Sequence, residues 1–253
     1  MRMPVMFLGH GSPMNTIEDN EFSNTWKRLG TLIAKPKYIL CISAHWVSES
    51  TSTNDSENPE IIYDMYGFPE ELYQVKYSSP GSYELAHRVK NLTGANIDNS
   101  WGIDHGTWSV LTHMFPKADI PVVQLSIDSN ASLMDFYNIG EKLRPLRDEN
   151  VLILCSGNVV HNLRLMQWDL GDKGFDWAVE FGNYIKDGVL ENNLEKVLSF
   201  NDVINPDNPP FTTLEHFVPL LFAMGASDKN DKISVENQGF SMGSLSMTSY
   251  IWE

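Results

Sequence analysis

Four short apolar runs, Val5–Leu8, Tyr38–Ser43, Ile120–Ser126 and Val151–Ser156, constrain this chain more than any other feature. Each is brief, rich in β-branched residues and free of polar alternation, the pattern of strands covered on both faces. Helical patterns separate them. Between the last two, Leu133, Phe136, Tyr137, Gly140, Leu143 and Leu146 share one helical face, while Glu141, Lys142 and Arg144 fall off it. A helix is also predicted after Pro80, with Ser79 as its cap and Pro80 at its first position. Phe175–Leu190 and Thr212–Met224 read as further helices, the second opened by the capping pattern Thr212-Thr213-Leu214-Glu215. Ile233–Val235 and Leu245–Ile251 read as closing strands, with Gly239 and Gly243 as turn residues between them. Strand-then-helix repetition predicts an α/β fold, a single domain over residues 1–253 with a central, largely parallel or mixed sheet flanked by helices on both faces. The polar stretch Ser48–Asn58 reads as a surface excursion within that domain, and Asn201–Pro210 as a second loop.

Charge and cysteine usage narrow the function classes. Asp and Glu number 33 against 18 Lys and Arg, a formal net charge of −15, so binding to nucleic acid or to an anionic membrane surface is not expected. The two cysteines, Cys41 and Cys155, each sit inside an apolar run and read as buried thiols, which excludes a disulfide framework or a cysteine-based zinc site. The apolar stretch at the N-terminus stops at Gly9-His10-Gly11, too short for a signal peptide, and no run has the length of a membrane span. A cytoplasmic location is expected, with self-association left open.

The histidines carry the remaining information. His10 follows the first predicted strand, His45 the second, and His161 lies just beyond the run 151–156. Open α/β sheets collect ligands at the carboxyl ends of their strands, so three imidazoles from three such ends can converge in one crevice. Convergent neutral imidazoles suit a first-row metal ion. His105, in Trp101-Gly102-Ile103-Asp104-His105-Gly106, enters a helix from a loop and can face the same pocket, and His216 lies on a predicted helix. Taken singly, each has an ordinary structural reading; as a set placed at strand ends they favour a site. His87 reads as solvent-exposed and His113 as a plain helix residue. A dinucleotide fingerprint is excluded because the third glycine is missing after Gly9-His10-Gly11, and Leu154 occupies the first glycine position of a nucleophile elbow around Ser156.

Several blocks together resemble one family. Leu8-Gly9-His10-Gly11-Ser12-Pro13, Ser43-Ala44-His45-Trp46, Trp101-Gly102-Ile103-Asp104-His105-Gly106-Thr107-Trp108 and Ser156-Gly157-Asn158-Val159-Val160-His161-Asn162-Leu163 are similar to the class III extradiol ring-cleavage dioxygenases, in particular their DOPA-dioxygenase branch. Leu214-Glu215-His216-Phe217-Val218-Pro219-Leu220 and the closing Met242-Gly243-Ser244-Leu245-Ser246-Met247 fit that branch as well, so the resemblance spans nearly the whole chain in order. It implies a small catecholic substrate, O2 and non-haem Fe(II) for activity, with Zn(II) able to occupy the same His-rich site. His10, His45 and His216 match metal-site positions; Glu215 is adjacent to His216, and which of the two reaches the metal stays open. His161 matches a histidine that is a further metal ligand in zinc-occupied members and a catalytic base elsewhere in the class. His105 matches a histidine at the substrate pocket that orients substrate or stabilises oxyanion charge. Tyr63, Tyr66, Phe68 and Tyr73 either wall an aromatic pocket or pack in the core. The alternative reading of the same cluster is a zinc-dependent hydrolase in which His161 or Glu215 activates a metal-bound water.

Overall fold

The computed structural model describes residues 2–253. In chain order, its first half comprises β1 (Val5–Gly9), α1 (Glu21–Leu32), β2 (Tyr38–Ser48), β3 (Ser52–Thr53), α2 (Glu70–Tyr73), α3 (Tyr83–Thr93), β4 (Asn96–Ile97) and α4 (His105–Met114). The second half adds β5 (Val122–Asp128), α5 (Leu133–Leu143), β6 (Val151–Gly157), α6 (Asp176–Leu190), α7 (Leu194–Leu198), α8 (Pro219–Ala226), β7 (Ile233–Glu236), β8 (Phe240–Ser241), β9 (Leu245–Ser246) and β10 (Ser249–Trp252).

Among the described residues, eight strands form one sheet in the order β4-β3-β5-β2-β6-β1-β10-β7. Its centre, β5-β2-β6-β1, is parallel, whereas β10 runs antiparallel to both β1 and β7. This is the mixed α/β sheet that the apolar runs predict. Because successive side chains of a strand point to opposite faces, each run feeds two cores. Val5, Phe7, Leu40, Ile42, Ile153 and Cys155 pack on one side with α3, α5, α6 and α8, while Met6, Leu8, Ile39, Cys41, Leu152 and Leu154 pack on the other with α1 and α4. Cys41 and Cys155 are therefore buried free thiols on opposite faces. All eight residues of α8 are buried, as expected of a helix that is apolar all round.

Several local expectations are corrected. The helix after Pro80 begins at Tyr83 with Ser82 as its cap, because residues 80 and 81 are engaged elsewhere: Pro80 O accepts from Val122 N at 2.8 Å and Gly81 N donates to Glu57 O at 2.8 Å. The segment 48–58 is not wholly an excursion, since Ser52 and Thr53 join the sheet as β3 and are buried. Instead of one helix over Thr212–Met224, residues 212–218 form turns and α8 starts at Pro219. Thr213 spends its hydroxyl on the Glu215 carboxylate at 2.7 Å, so the capping pattern closes on itself. The closing strand breaks into β9 and β10 around Met247, whose backbone crosses Gly9 so closely that a Cβ there would lie 2.6 Å from Met247 C. His87 is not simply exposed; it pairs with Asp55 at 3.0 Å and stacks on Tyr83.

The chain ends are fastened by one buried charge. Arg147, 1% exposed, donates from Nε to Met3 O at 2.8 Å and from its terminal nitrogens to Asp231 at 2.6 and 3.1 Å. It also reaches Trp252 O at 3.3 Å, so one guanidinium joins the entry to β1, the end of β10 and the turn after α8.

Candidate metal centre

The site lies over the carboxyl ends of three adjacent parallel strands, β2, β6 and β1. Register places Leu8, Ser156 and Ser43 abreast, so the residues just beyond them emerge at one level. His10 follows β1 directly. β2 does not end at Ser43 as the apolar run suggests; it continues to Ser48 with a register irregularity between Ile42 and Val47, and His45 sits inside that irregular stretch. The bulge is held by Ser43, whose hydroxyl accepts from His45 N at 3.2 Å and donates to Asp104 Oδ1 at 2.7 Å. Gly106 lets α4 approach: a Cβ there would lie 2.6 Å from Ser43 Oγ and 2.8 Å from His45 Cδ2. Asp104 caps α4 and also accepts from Gln124 Nε2 at 2.7 Å and Trp101 Nε1 at 3.0 Å, which fixes His105 as the first residue of the helix.

The third strand end organises both remaining loops. Gly157 O accepts from His10 N at 3.2 Å, and Asn158 N donates to His216 O at 2.8 Å. The buried Asn158 side chain donates to Ser246 O at 2.7 Å, tying in the C-terminal segment. His161 N donates to Pro210 O at 2.8 Å, which sets that residue beside the turn carrying His216.

These anchors bring His10, His45 and His216 together, with ligand atoms within 4.8 Å of one another. Glu215 is not part of that set; its carboxylate accepts from Thr213 at 2.7 Å and contacts His216 Nδ1 at 3.4 Å. His161 is outside the trio as well, its ring stacked on His216 with centroids 3.5 Å apart. His105 packs against His45 at 3.9 Å between centroids.

Ring tautomers follow from the partners. The Ser156 hydroxyl donates its one proton to Gly106 O at 2.5 Å, so it accepts from His10 Nδ1 at 2.9 Å, and His10 Nε2 carries a lone pair. His45 turns Nδ1 toward Asp64 Oδ2 at an ion-pair distance of 3.0 Å, so its Nε2 is the nitrogen that faces the site. These two Nε2 nitrogens face each other at 3.1 Å. Two ligands at about 2.1 Å from one metal ion stand roughly 3.0 to 3.4 Å apart at adjacent octahedral or tetrahedral positions. A proton on one ring or a shared metal ion holds two such nitrogens together, and the donor set and its spacing fit a metal ion.

Electrostatics agree. Burial, then the neighbouring His45, His105 and His161, pushes His10 well below the usual imidazole range. Burial, then His161, does the same to His216. His105 is lowered by burial and His45, against the opposing pull of Asp64. His161 is pushed down to about 3, mainly by burial. His10, His105, His161 and His216 are thus held neutral, the form in which an imidazole can serve a metal.

Asp64 and Ser156 are the two site residues that the sequence reading missed. Asp64 stands alone among aromatics in Tyr63-Asp64-Met65-Tyr66, and no local spacing marks it. The aromatic wall is not assembled as one. Tyr63 packs against Trp108 and Tyr73, Phe68 joins the same core, and Tyr66 is 92% exposed. His113 is structural, its ring nitrogen 2.8 Å from Asn15 O.

Residues 4–252 match the family described as the catalytic LigB subunit of aromatic ring-opening dioxygenase. A 4,5-DOPA dioxygenase extradiol from Escherichia coli (strain K12) is 42% identical, with 98% of this chain and 94% of that protein covered. One of the same name from Beta vulgaris is 37% identical over 96% of this chain and 94% of its own. A crystal structure of an uncharacterized protein from Escherichia coli K12 superposes with a TM-score of 0.83 at 39% identity, covering 99% of both chains. No helix among the described residues is long and apolar enough to cross a membrane.

Proposed function

The chain belongs to the family of catalytic LigB subunits of aromatic ring-opening dioxygenases, which are metal-dependent enzymes, and on that premise we propose that it opens the ring of a small, DOPA-like catechol with O2. The observation that supports a metal-centred reaction most directly is the pair of facing Nε2 atoms of His10 and His45, 3.1 Å apart with His216 beside them. These three histidines would hold the metal. Fe(II) would supply the open coordination positions and the redox chemistry that links catechol to O2, whereas redox-inert Zn(II) fits the same donors without supplying it.

The remaining residues act on protons, orientation and water. A catechol must lose hydroxyl protons before its oxygens become good ligands, and His161, neutral and beside the trio, is the residue proposed to accept one and later return it. The negative charge of the arriving catecholate raises the proton affinity of that imidazole from its depressed value. His105 orients the substrate from the α4 side. Burial of His10, His105 and His216 keeps bulk water from the reacting groups. The hydrolase reading is not favoured, because the family and its relatives are named for ring opening and dioxygenation. A cytoplasmic setting fits the two buried free thiols.

The test is product formation. Enzyme reconstituted anaerobically with Fe(II) is mixed in air with a panel of catechols, and a yellow ring-opened product is expected with iron and not with zinc. Ester or amide cleavage by the zinc form without O2, with no ring opening by the iron form, would overturn the proposal.

A further inference from the structure

We propose that Asp64 is a positioning residue shared by both halves of the site, one carboxylate that sets the ring tautomer of His45 on the metal side and of His105 on the substrate side. The inference rests on the reading of the site as a catechol-cleaving metal centre.

Each oxygen of Asp64 serves a different ring. Oδ2 lies 3.0 Å from His45 Nδ1 and Oδ1 lies 3.0 Å from His105 Nδ1, both at ion-pair distance and off the line of a hydrogen bond, while Oδ1 accepts from His105 N at 3.0 Å. The carboxylate side chain is 13% exposed. A carboxylate oxygen offers no proton at these 3.0 Å contacts, so the proton of each belongs on the facing Nδ1, and the proposal leaves both Nε2 atoms bare. For His45 that bare nitrogen is the one aimed at His10. The nearby Asp104 cannot substitute, because its oxygens are taken by Ser43, Gln124 and Trp101.

The placement of Asp64 is built into the fold although it lies outside any helix or strand. Its segment is pinned to the entry of α4 by Ile62 N to Ile103 O at 2.8 Å, Ile103 N to Glu60 O at 2.7 Å and Trp108 Nε1 to Ile62 O at 3.0 Å. Tyr63 adds a bond from its hydroxyl to Val75 O at 2.5 Å. Carboxylates behind metal-bound histidines fix tautomer and ring orientation, and their loss typically lowers metal affinity about 10- to 100-fold. Here the same carboxylate also fixes the imidazole that faces substrate, so its loss should damage two separable steps.

Asp64→Asn separates them, because an amide offers one acceptor oxygen and one donor nitrogen. It can receive one Nδ1 proton and must oppose the other. Nitrogen NMR of the zinc-loaded wild type, labelled at histidine, should show both His45 and His105 protonated at Nδ1; in Asp64→Asn, with zinc holding His45 Nε2, the His105 ring should switch. Zinc affinity by chelator competition should fall at least about tenfold. At saturating iron, kcat for a catechol should remain depressed at least about tenfold with the unfolding temperature preserved. A wild-type proton on Nε2 of either ring overturns the proposal, as does zinc affinity within threefold of wild type or full recovery of kcat at saturating iron. The wild-type spectrum decides the matter if the variant fails to fold. If no catechol is cleaved by the wild type, the functional reading fails while the NMR and zinc measurements still judge Asp64.

Discussion

His161 lies flat on His216, ring centroids 3.5 Å apart and planes 4° from parallel. His161 thus lies beside His10, His45 and His216, whose ligand atoms gather within 4.8 Å without it. Burial, helped by the neighbouring histidines, keeps both rings neutral. The account therefore predicts different losses for the two partners. His216→Ala should abolish tight metal binding, whereas His161→Ala should keep the metal within a few-fold of wild-type affinity and lower kcat by about 100-fold or more. Metal titration and steady-state kinetics on both variants check this.

Ser156 defines the tautomer of His10 through a chain that ends on Gly106 O. In Ser156→Ala the buried Nδ1 proton of His10 loses its acceptor and Gly106 O loses its donor. We expect metal affinity to drop about 10- to 100-fold and the metal-free protein to lose about 1–3 kcal/mol. Chelator competition and urea unfolding measure the two effects separately.

The metal-free protein should be acid-sensitive above the carboxylate range. His10, His105, His161 and His216 all have folded pKa values below the unfolded value. Between the two values the unfolded chain binds more protons, so stability is greatest above about pH 6.5 and falls as pH drops below it, by up to about 1.4 kcal/mol per pH unit for each histidine kept neutral. Asp64 has the opposite kind of shift: its contribution is present above its unfolded pKa and is lost only below about pH 4, outside this window. Urea melts at pH 7, 6 and 5 with a chelator present should show progressive loss; an unchanged midpoint contradicts the assignment of neutral buried rings.

Arg147 and Asp231 form a pair with side chains 1% and 7% exposed. Asp231→Asn leaves the guanidinium buried without its counter-charge and should cost about 3–5 kcal/mol. Equilibrium denaturation measures it, and a cost below 1 kcal/mol would mean that the carbonyls of Met3 and Trp252 alone suffice to hold the arginine.

The sheet is legible because its four central strands are apolar on both faces and so stand out as short uninterrupted apolar runs. His10 was legible for the same reason, since it directly follows β1. His45 reads as lying beyond its strand but sits inside it, because Ala44-His45-Trp46 breaks the apolar run while a bulge carries β2 past it. His216 was read onto a helix, yet Pro219 delays α8 and leaves it on a turn. Asp64 was invisible, because its role depends on a loop being pinned to Ile103 and Trp108 from distant positions. The capping of α3 by Ser82 in place of Ser79 likewise depends on contacts that Pro80 and Gly81 make elsewhere in the chain.

The central claim is that the histidine centre directs both atoms of O2 into a catechol ring. Mass analysis of the product formed under isotopically labelled O2, by enzyme reconstituted with verified Fe(II), tests it most directly. The account predicts one O2 consumed per catechol and both labelled atoms in a ring-opened product. Iron-loaded enzyme that takes up no O2 with any catechol, or that returns the label as peroxide beside an unopened ring, would contradict it.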